Sequence, residues 1–359
     1  MKLTIFKYSL PFRTPFRTAG HIFETREGLL FLLDDQGYLL ASEAAPLPGF
    51  SSENLTDILV YLSSNPGWYR FLSLHDLPDF SDSMPPSLQF ACSVLWLKHK
   101  AHNSNTSVTV VLGKSAAARV AVNAAIGLGS AVEITSKTRQ AVSHGFKTIK
   151  YKVIGEADEL LSALKTIRNT FPALKLRLDA NGCWHPKEAA AVLQKFEPLT
   201  IEYCEQPVQP DDDHHMAWLR NQTSIPLAAD ESARTPADVQ RILSNRLADV
   251  LIIKPMLCGS ITNLLRISDA ARKAGTDMIF TTSLDSALAR RDTAVLAAAL
   301  SDNAAMAHGL STGSLLSQDT LNEPDPIFNG LFETAGIAPL LNPKSLNYSV
   351  LHKLYEFTV

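Results

Sequence analysis

The sequence has little of what marks several protein classes. No apolar run approaches the roughly 18 residues of a membrane-spanning helix. The four cysteines, Cys92, Cys183, Cys204 and Cys258, form no CxxC pair that would suggest zinc or a disulfide framework. The net charge of -3 provides no basic excess for nucleic acid, and residues 1–17 lack the continuous apolar segment of a signal peptide. We therefore expect a cytoplasmic protein with reduced thiols that binds neither membranes nor nucleic acid.

The first part of the chain is typical of a small α+β domain, which we assign to residues 1–105. Its strand-like runs are divided by the hairpin turn Asp34-Asp35-Gln36-Gly37. Residues 101–118 are small and polar and are predicted to be a linker. The predicted strands are 3–10, 28–33 and 38–42, and the predicted helices are 53–65 and 87–98.

Beyond residue 119, short apolar strands alternate with amphipathic helices, which is typical of βαβ units. We predict a TIM-like α/β barrel over residues 106–319, and a tail, 320–359, that packs on the first domain. The predicted strands are 120–126, 148–153, 174–181, 201–207, 226–232, 250–255, 277–283 and 304–310. The predicted helices between them include 156–171, 187–196, 236–244, 260–274 and 286–301.

Five successive predicted strands end on polar residues that a core does not need: Lys152, Asp179, Glu205, Asp230 and Lys254. Their spacings are 27, 26, 25 and 24 residues, so each interval is one βα unit and all five lie on the carboxyl-terminal rim, where barrel enzymes place their chemistry. A single aspartate at a strand end is usually a helix cap or a surface ion pair. Five in register are not explained in that way.

The residue types suit a metal-assisted proton transfer. Three carboxylates without histidine or cysteine form a hard oxygen donor set for Mg²⁺, with Mn²⁺ as an alternative. Lys152 can act as a base only as a neutral amine, a form that a nearby cation and Lys150 both favour. Lys254 can be the opposite base or a fixed cation. A Schiff-base lysine is the competing reading, but such enzymes do not need three carboxylates.

Several short motifs resemble one family when they are taken in order. They are Lys150-Tyr-Lys152, Arg177-Leu-Asp179-Ala-Asn181, Glu205-Gln-Pro207, Ala229-Asp230-Glu231-Ser232 and Ile253-Lys254-Pro255. With them, the chain resembles the muconate-lactonizing subgroup of the enolase superfamily, and most closely its o-succinylbenzoate synthases. The resemblance implies a (β/α)7β barrel with an N-terminal capping domain, completed by the tail. It also implies that Asp179, Glu205 and Asp230 bind Mg²⁺, with Asn181 and Glu231 in support.

The resemblance also implies where a substrate carboxylate is held. Segments 282–286 and 308–313 look like those that receive the succinyl carboxylate in o-succinylbenzoate synthases, and the residues concerned are Ser283, Gly309, Leu310 and Ser311. Segments 18–22 and 46–51 would close over the barrel mouth as capping loops, although plain surface turns explain them equally well.

The implied activity is dehydration of 2-succinyl-6-hydroxy-2,4-cyclohexadiene-1-carboxylate to 2-succinylbenzoate, in menaquinone biosynthesis. The eighth strand lacks the Asp-x-Asp pair of dipeptide epimerases, and Gly182 departs from the bulky or basic residue that some o-succinylbenzoate synthases carry there. Racemisation or epimerisation of an N-acylamino acid with the same two lysines stays open. A more distant alternative is a non-catalytic barrel that binds a small carboxylate, and the oligomeric state is not predicted.

Overall fold

The computed structural model describes residues 1–17, 22–155 and 157–359. Two sequence predictions lie partly outside these ranges: the capping segment 18–22, of which only Ile22 is described, and the helix 156–171, whose first residue is not. Within the described ranges, no helix is both long enough and apolar enough to cross a lipid bilayer.

The N-terminal strands form an antiparallel sheet that is covered on both faces, since the successive apolar residues 29–33 point alternately into two separate cores. They are β1 (Lys2–Arg17), β2 (Ile22–Asp35) and β3 (Tyr38–Ala44). Gly37 takes a φ of 93° in the turn between β2 and β3, a conformation that favours glycine, and its amide donates to Asp34 Oδ1 at 2.7 Å. The C-terminal strand 351–358 pairs with the free side of β1, so the end of the predicted tail joins this sheet. The domain boundaries at 105 and 320 stay a prediction.

Helices cover the N-terminal sheet. Asn54 caps the first of them in a capping box with Asp57. The second is buried along most of its length, between the sheet and the barrel. Residues 101–118, predicted as a linker, contain the end of this helix and one further helical turn, which Ser107 caps. The helices are α1 (Leu55–Ser64), the 3-10 helix Trp68–Ser73, α2 (Pro86–Asn103) and α3 (Val108–Val111).

Seven parallel strands form the barrel wall, in sequential order along the sheet. After β4 (Arg119–Ala121), the wall strands are β5 (Ala124–Ile126), β6 (Thr148–Lys152), β7 (Lys175–Asp179), β8 (Ile201–Glu205), β9 (Leu227–Ala229), β10 (Val250–Ile253) and β11 (Asp277–Phe280). The helices are α4 (Ala131–Ser143), α5 (Asp158–Thr170), α6 (Pro186–Phe196), α7 (Asp213–Leu219), α8 (Pro236–Ser244), α9 (Pro255–Cys258), α10 (Ile261–Ala274) and α11 (Ala287–Leu300).

The remaining elements follow the barrel or connect its parts. β13 joins β12 and β4 in a small antiparallel sheet. The remaining strands are β12 (Ile327–Phe328), β13 (Leu331–Glu333) and β14 (Leu351–Thr358), and the short 3-10 helices are Glu197–Leu199, Thr312–Leu315, Pro343–Ser345 and Tyr348–Val350.

Two predicted strands differ from what the structure contains. The first, 120–126, is divided, because β4 turns away to pair with β13 while β5 enters the barrel. The eighth, 304–310, is reduced to two isolated parallel bridges, Val122↔His308 and Thr281↔Gly309. These bridges close the barrel between β5 and β11. Helices α4 and α7 were not among those predicted.

Backbone hydrogen bonds of His308 and Gly309 join this closure, which we call the barrel seam (residues 306–309), to both of its neighbours, and side chains add to them. His308 Nδ1 accepts from the amide of Phe280 at 3.0 Å. Arg177, fully buried on β7, donates to the carbonyl of Ala307 at 2.6 Å and to Glu202 Oε2 at 2.6 Å. Its guanidinium also lies over the ring of Tyr203, 4.7 Å from the centroid. The seam thus depends on Arg177.

We expect Arg177→Met to lower the free energy of unfolding by about 3 kcal/mol, because it removes one partner of a buried ion pair. Lys175→Met is the matched control, since Lys175 on the same strand also pairs with Glu202, at 2.8 Å, but its side chain is 40% exposed. Its loss should cost less than about 1 kcal/mol. Urea unfolding followed by circular dichroism measures both, and equal costs would contradict the role given to Arg177.

Candidate active site

The carboxyl-terminal edge of the barrel brings the five predicted strand-end residues together. Lys152, Asp179 and Glu205 are the last residues of β6, β7 and β8. The register pairs Lys152 with Asp179 and Asp179 with Glu205, so these three residues are neighbours across the sheet. Asp230 and Lys254 directly follow β9 and β10. All five therefore border one mouth of the barrel.

Lysines neutralise the carboxylates at this mouth. Lys150 Nζ lies 2.8 and 3.0 Å from the two oxygens of Glu205 and 3.0 Å from Asp179 Oδ2. Lys254 donates to both oxygens of Asp230. Only 1% of Glu205 and 4% of Asp230 is exposed. The arrangement is a buried network of alternating charge.

The network changes the acidity of its members. Burial alone would lower the pKa of Lys150, but Asp179 and Glu205 outweigh it and raise that pKa well above its usual value. Lys254 behaves in the same way, since Asp230 and Glu231 overcome the effect of burial and raise its pKa. Burial raises the pKa of Glu205 well above its usual value despite the opposing charge of Lys150. Both lysines are thus held as ammonium ions.

Lys152 differs from these two lysines. It is only half-buried, and among the described residues it forms no hydrogen bond or ion pair. Of the three lysines at the mouth, Lys152 is therefore the one whose amine no carboxylate of the described residues holds by an ion pair.

The donor chemistry of the site fits a hard divalent cation. Asp179 Oδ1 and Glu231 Oε2 are buried oxygens without a hydrogen-bond partner in the described part of the chain, and buried acceptors normally have one. A cation bound among carboxylates from adjacent strands would satisfy such an oxygen. With the lysine pairs in place, no group of three His, Cys, Asp or Glu side chains converges closely enough to hold a metal, as far as the described residues go.

A second set of side chains shapes the loops around Asp230. Gln206 Oε1 accepts from the amides of Asp230 and Ser232, at 3.1 and 3.2 Å. Asn181 donates to Glu231 Oε1 at 2.8 Å. Asn181 and Gln206 both adopt positive φ, 45° and 39°. The motif Glu205-Gln-Pro207 does not reveal this role of Gln206, because it depends on a contact 24 residues away.

The loop after β3 reaches the site from the N-terminal domain. We call residues 45–53 the cap loop. The ring of Phe50 lies 5.9 Å from Lys254 Nζ and lines a small cavity with Lys254, Glu231 and Arg234. Arg234 was not predicted to belong to the site. The one feature of the sequence that could have pointed to it is its place four positions after Asp230. The cap loop thus covers one side of the barrel mouth.

The last two loops hold the residues predicted to receive a second carboxylate. The Ser283 hydroxyl is buried and has no hydrogen-bond partner among the described residues. The Gly309 amide is less available to a substrate carboxylate, because it donates to the carbonyl of Phe280 at 2.8 Å. Ser311 Oγ already donates to the carbonyl of Asn123, at 2.5 Å, and the Leu310 side chain is buried in the core. Of the four, Ser283 has the freest polar group.

His308 does not serve as a base at this mouth. Burial, aided by Arg177, lowers its pKa to about 3, so the imidazole is neutral near pH 7. Its Nδ1 is already the acceptor for Phe280. His308 is thus a hydrogen-bonded packing residue of the barrel wall.

Two family models match the chain. Residues 133–337 match the enolase C-terminal domain-like family, and residues 1–98 match the MenC N-terminal domain. The chain belongs to the enolase superfamily. For this superfamily member, the fold predicted from sequence, a TIM-like barrel with an N-terminal α+β domain, is confirmed.

The relatives of this superfamily member differ in their reactions. An o-succinylbenzoate synthase from Thermosynechococcus vestitus is 29% identical over 79% of this chain and 84% of its own length. An L-Ala-D/L-Glu epimerase from Bacillus subtilis is 34% identical, over 45% of this chain and 46% of its own. The solved dipeptide epimerase from Enterococcus faecalis V583, complexed with Mg and L-Leu-L-Tyr, has a TM-score of 0.81 and 21% identity, over 92% of this chain and 96% of its own. Similarity to these relatives therefore does not decide which reaction this chain catalyses, because the relatives themselves catalyse different reactions.

Proposed function

We propose that the chain is an o-succinylbenzoate synthase of menaquinone biosynthesis, a hydro-lyase acting on 2-succinyl-6-hydroxy-2,4-cyclohexadiene-1-carboxylate. The observation that carries the proposal is the match of residues 1–98 to the MenC N-terminal domain, because this part of the chain supplies Phe50 to the barrel mouth. The synthase from Thermosynechococcus vestitus also aligns with 79% of the chain, against 45% for the Bacillus subtilis epimerase.

Asp179, Glu205 and Asp230 are the residues that we propose to hold Mg²⁺ or Mn²⁺. When bound, such a cation supplies positive charge that neutralises the negative charge developing on the substrate carboxylate. The uncompensated Asp179 Oδ1 supports this assignment, and the Enterococcus faecalis epimerase of the same fold is complexed with Mg. Asn181 and Glu231 would support the ligands through their mutual hydrogen bond.

Lys152 is the proposed base. Its neutral amine would take the proton from the ring carbon next to the carboxylate, breaking the C–H bond. The resulting ammonium would give that proton to the departing hydroxyl, so the C–O bond breaks, water leaves and the ring becomes aromatic. Lys152 is thus a neutral amine again at the end of the cycle, and no other proton donor is required.

Lys254 is the proposed fixed cation on the other face of the substrate. It is held between Asp230 and the ring of Phe50. A cation over a π-rich intermediate contributes roughly 0.5–2 kcal/mol. Lys150 would keep Glu205 and Asp179 in place, since it contacts both carboxylates. Ser283 is the proposed hydrogen-bond donor to the succinyl carboxylate.

Racemisation or epimerisation of an N-acylamino acid is the second candidate function. It needs one lysine on each face of the substrate carbon, and Lys152 and Lys254 satisfy this requirement in type. Several relatives are epimerases or racemases, among them an N-succinyl-L-Arg/Lys racemase from Bacillus cereus. In that reaction Lys254 would exchange a proton, whereas its pairing with Asp230 favours a fixed ammonium ion.

The deciding experiment supplies the purified protein and Mg²⁺ with both substrates separately. We expect 2-succinylbenzoate to form with a kcat/KM above that for racemisation of an N-succinylamino acid, which is followed by polarimetry and by deuterium uptake in D₂O. A mock preparation from host cells without the gene controls for host enzymes. Racemisation without dehydration would assign the second function.

A further inference from the structure

Arg26 joins two loops that border the active site. It lies on β2 and only 2% of it is exposed. Its Nε donates to the carbonyl of Leu284 at 3.2 Å, and Nη1 donates to the carbonyl of Pro46 at 2.8 Å. Nη2 donates to the carbonyl of Ala45. One guanidinium therefore connects the cap loop with the loop after β11.

We call residues 281–286 the strand-seven loop, because they follow β11, the seventh strand of the barrel wall. It contains Ser283, and the cap loop contains Phe50. Leu284 has a φ of 60°, a left-handed conformation that a residue with a side chain adopts only when its surroundings hold it there. The hydrogen bond from Arg26 fixes the carbonyl of this same residue. The shape of the strand-seven loop beside Ser283 thus depends on a residue of the N-terminal domain.

The charge of Arg26 is balanced by the loop that it holds. Its Nη2 lies 3.8 Å from Asp285 Oδ1, an oxygen that accepts no hydrogen bond from any described residue. Glu43 on β3 accepts from the amide of Ser286 at 3.0 Å and from the Ser286 hydroxyl. Tyr8 donates to the same carboxylate at 2.6 Å. The strand-seven loop is therefore held from both sides by charged groups of the N-terminal sheet.

We propose that Arg26 is a positioning residue that sets the separation of the cap loop and the strand-seven loop, and so forms the binding site for the second carboxylate of the substrate. The identity of that carboxylate rests on the proposed function. The planar fork of arginine donates in several fixed directions, whereas the ammonium of lysine is a single point on a flexible stem. Arg26→Lys would keep the positive charge but would not donate hydrogen bonds to both loops at the same time.

A simple fold contact between the two domains is the competing explanation, and the chain offers a matched control for it. Lys98 on α2 is also buried, with 6% exposed. It donates to the carbonyl of Ala41 at 2.7 Å and pairs with Asp292 on α11 at 2.6 Å. These partners lie in β3 and α11, outside both loops. Lys98 thus joins the same two domains without contacting the active-site loops.

The test compares Arg26→Lys, Arg26→Met and Lys98→Met in the full-length enzyme with saturating Mg²⁺. All three should lower the urea midpoint of unfolding. We expect the Arg26 variants to raise KM by about tenfold or more while kcat changes little, because misplaced positioning groups weaken substrate binding. Lys98→Met should leave KM within about twofold of the wild-type value. If Arg26→Met does not fold, Arg26→Lys carries the comparison.

A KM for Arg26→Lys no higher than that for Lys98→Met would overturn the proposal, and so would an equal loss of kcat in both variants. The comparison uses whichever substrate the wild-type enzyme turns over. Racemisation without dehydration by the wild type would reject the synthase function alone, and the same KM comparison with the N-succinylamino acid, which also carries two carboxylates, would still decide the role of Arg26.

Discussion

Replacing Lys152 with alanine is expected to lower kcat by about 10³-fold, within the range that a general base contributes. The loss should be confined to chemistry, because Lys152 takes part in no ion pair among the described residues, whereas Lys150 and Lys254 hold the carboxylates. Steady-state kinetics on the cyclohexadiene substrate measures kcat. Isothermal titration with Mg²⁺ should give an affinity close to that of the wild type.

Lys165→Ala is the matched control, since Lys165 is an exposed lysine on α5, away from the barrel mouth. It should retain wild-type kcat and Mg²⁺ affinity. A Lys152→Ala enzyme with normal kcat would place the base elsewhere. A large loss of Mg²⁺ affinity in Lys152→Ala would instead mean that this lysine organises the metal site.

Removing divalent metal with a chelator is expected to abolish turnover, and added Mg²⁺ or Mn²⁺ should restore it. Four carboxyl groups, those of Asp179, Glu205, Asp230 and Glu231, interact with one another at the mouth where we propose that a carboxylate substrate binds. Lysines offset part of this charge, and like charges at close range otherwise disfavour binding. A divalent cation held by the protein carboxylates would supply the positive charge that offsets this repulsion.

Chelator already saturated with Mg²⁺ controls for effects of the chelator itself. Asp179→Asn tests directly whether Asp179 binds the metal. Loss of a residue that only supports a metal ligand lowers metal affinity roughly 10- to 100-fold, and we expect the Mg²⁺ affinity of Asp179→Asn to fall further than that. Asp158→Asn, at an aspartate whose side chain is 71% exposed at the start of α5, is the matched surface variant. Full activity after exhaustive chelation would reject the metal assignment.

The strand-end residues could be predicted because a βα barrel converts sequence spacing into spatial adjacency. Lys152, Asp179 and Glu205 each end a strand, and equivalent positions on parallel strands meet at one rim. The helix capped by Asn54 was predictable for a similarly local reason, since its capping residues lie within four positions. Local patterns of this kind are contained in the sequence.

Contacts between distant segments were not predictable in this way. Arg26 and Leu284 are 258 residues apart, and nothing in their neighbouring residues indicates that they meet. The eighth strand was predicted as regular because residues 304–310 are mostly apolar, but the Ala307 carbonyl and the Phe280 amide pair with the side chains of Arg177 and His308. Such substitutions depend on the tertiary packing that the one-dimensional pattern does not contain.

The barrel seam has a further consequence for the behaviour of the protein outside its native state. A closed sheet has no edges, whereas an open one presents rows of unpaired amides and carbonyls to other chains. At the seam, two isolated bridges with their backbone hydrogen bonds, and the side-chain hydrogen bonds of Arg177 and His308, join the edge of β5 to that of β11. Partial opening there would expose two strand edges at once, one of them the apolar run Met278-Ile279-Phe280 of β11. We therefore expect the hydrogen bonds of Arg177 and His308 to help keep these two edges paired within the molecule.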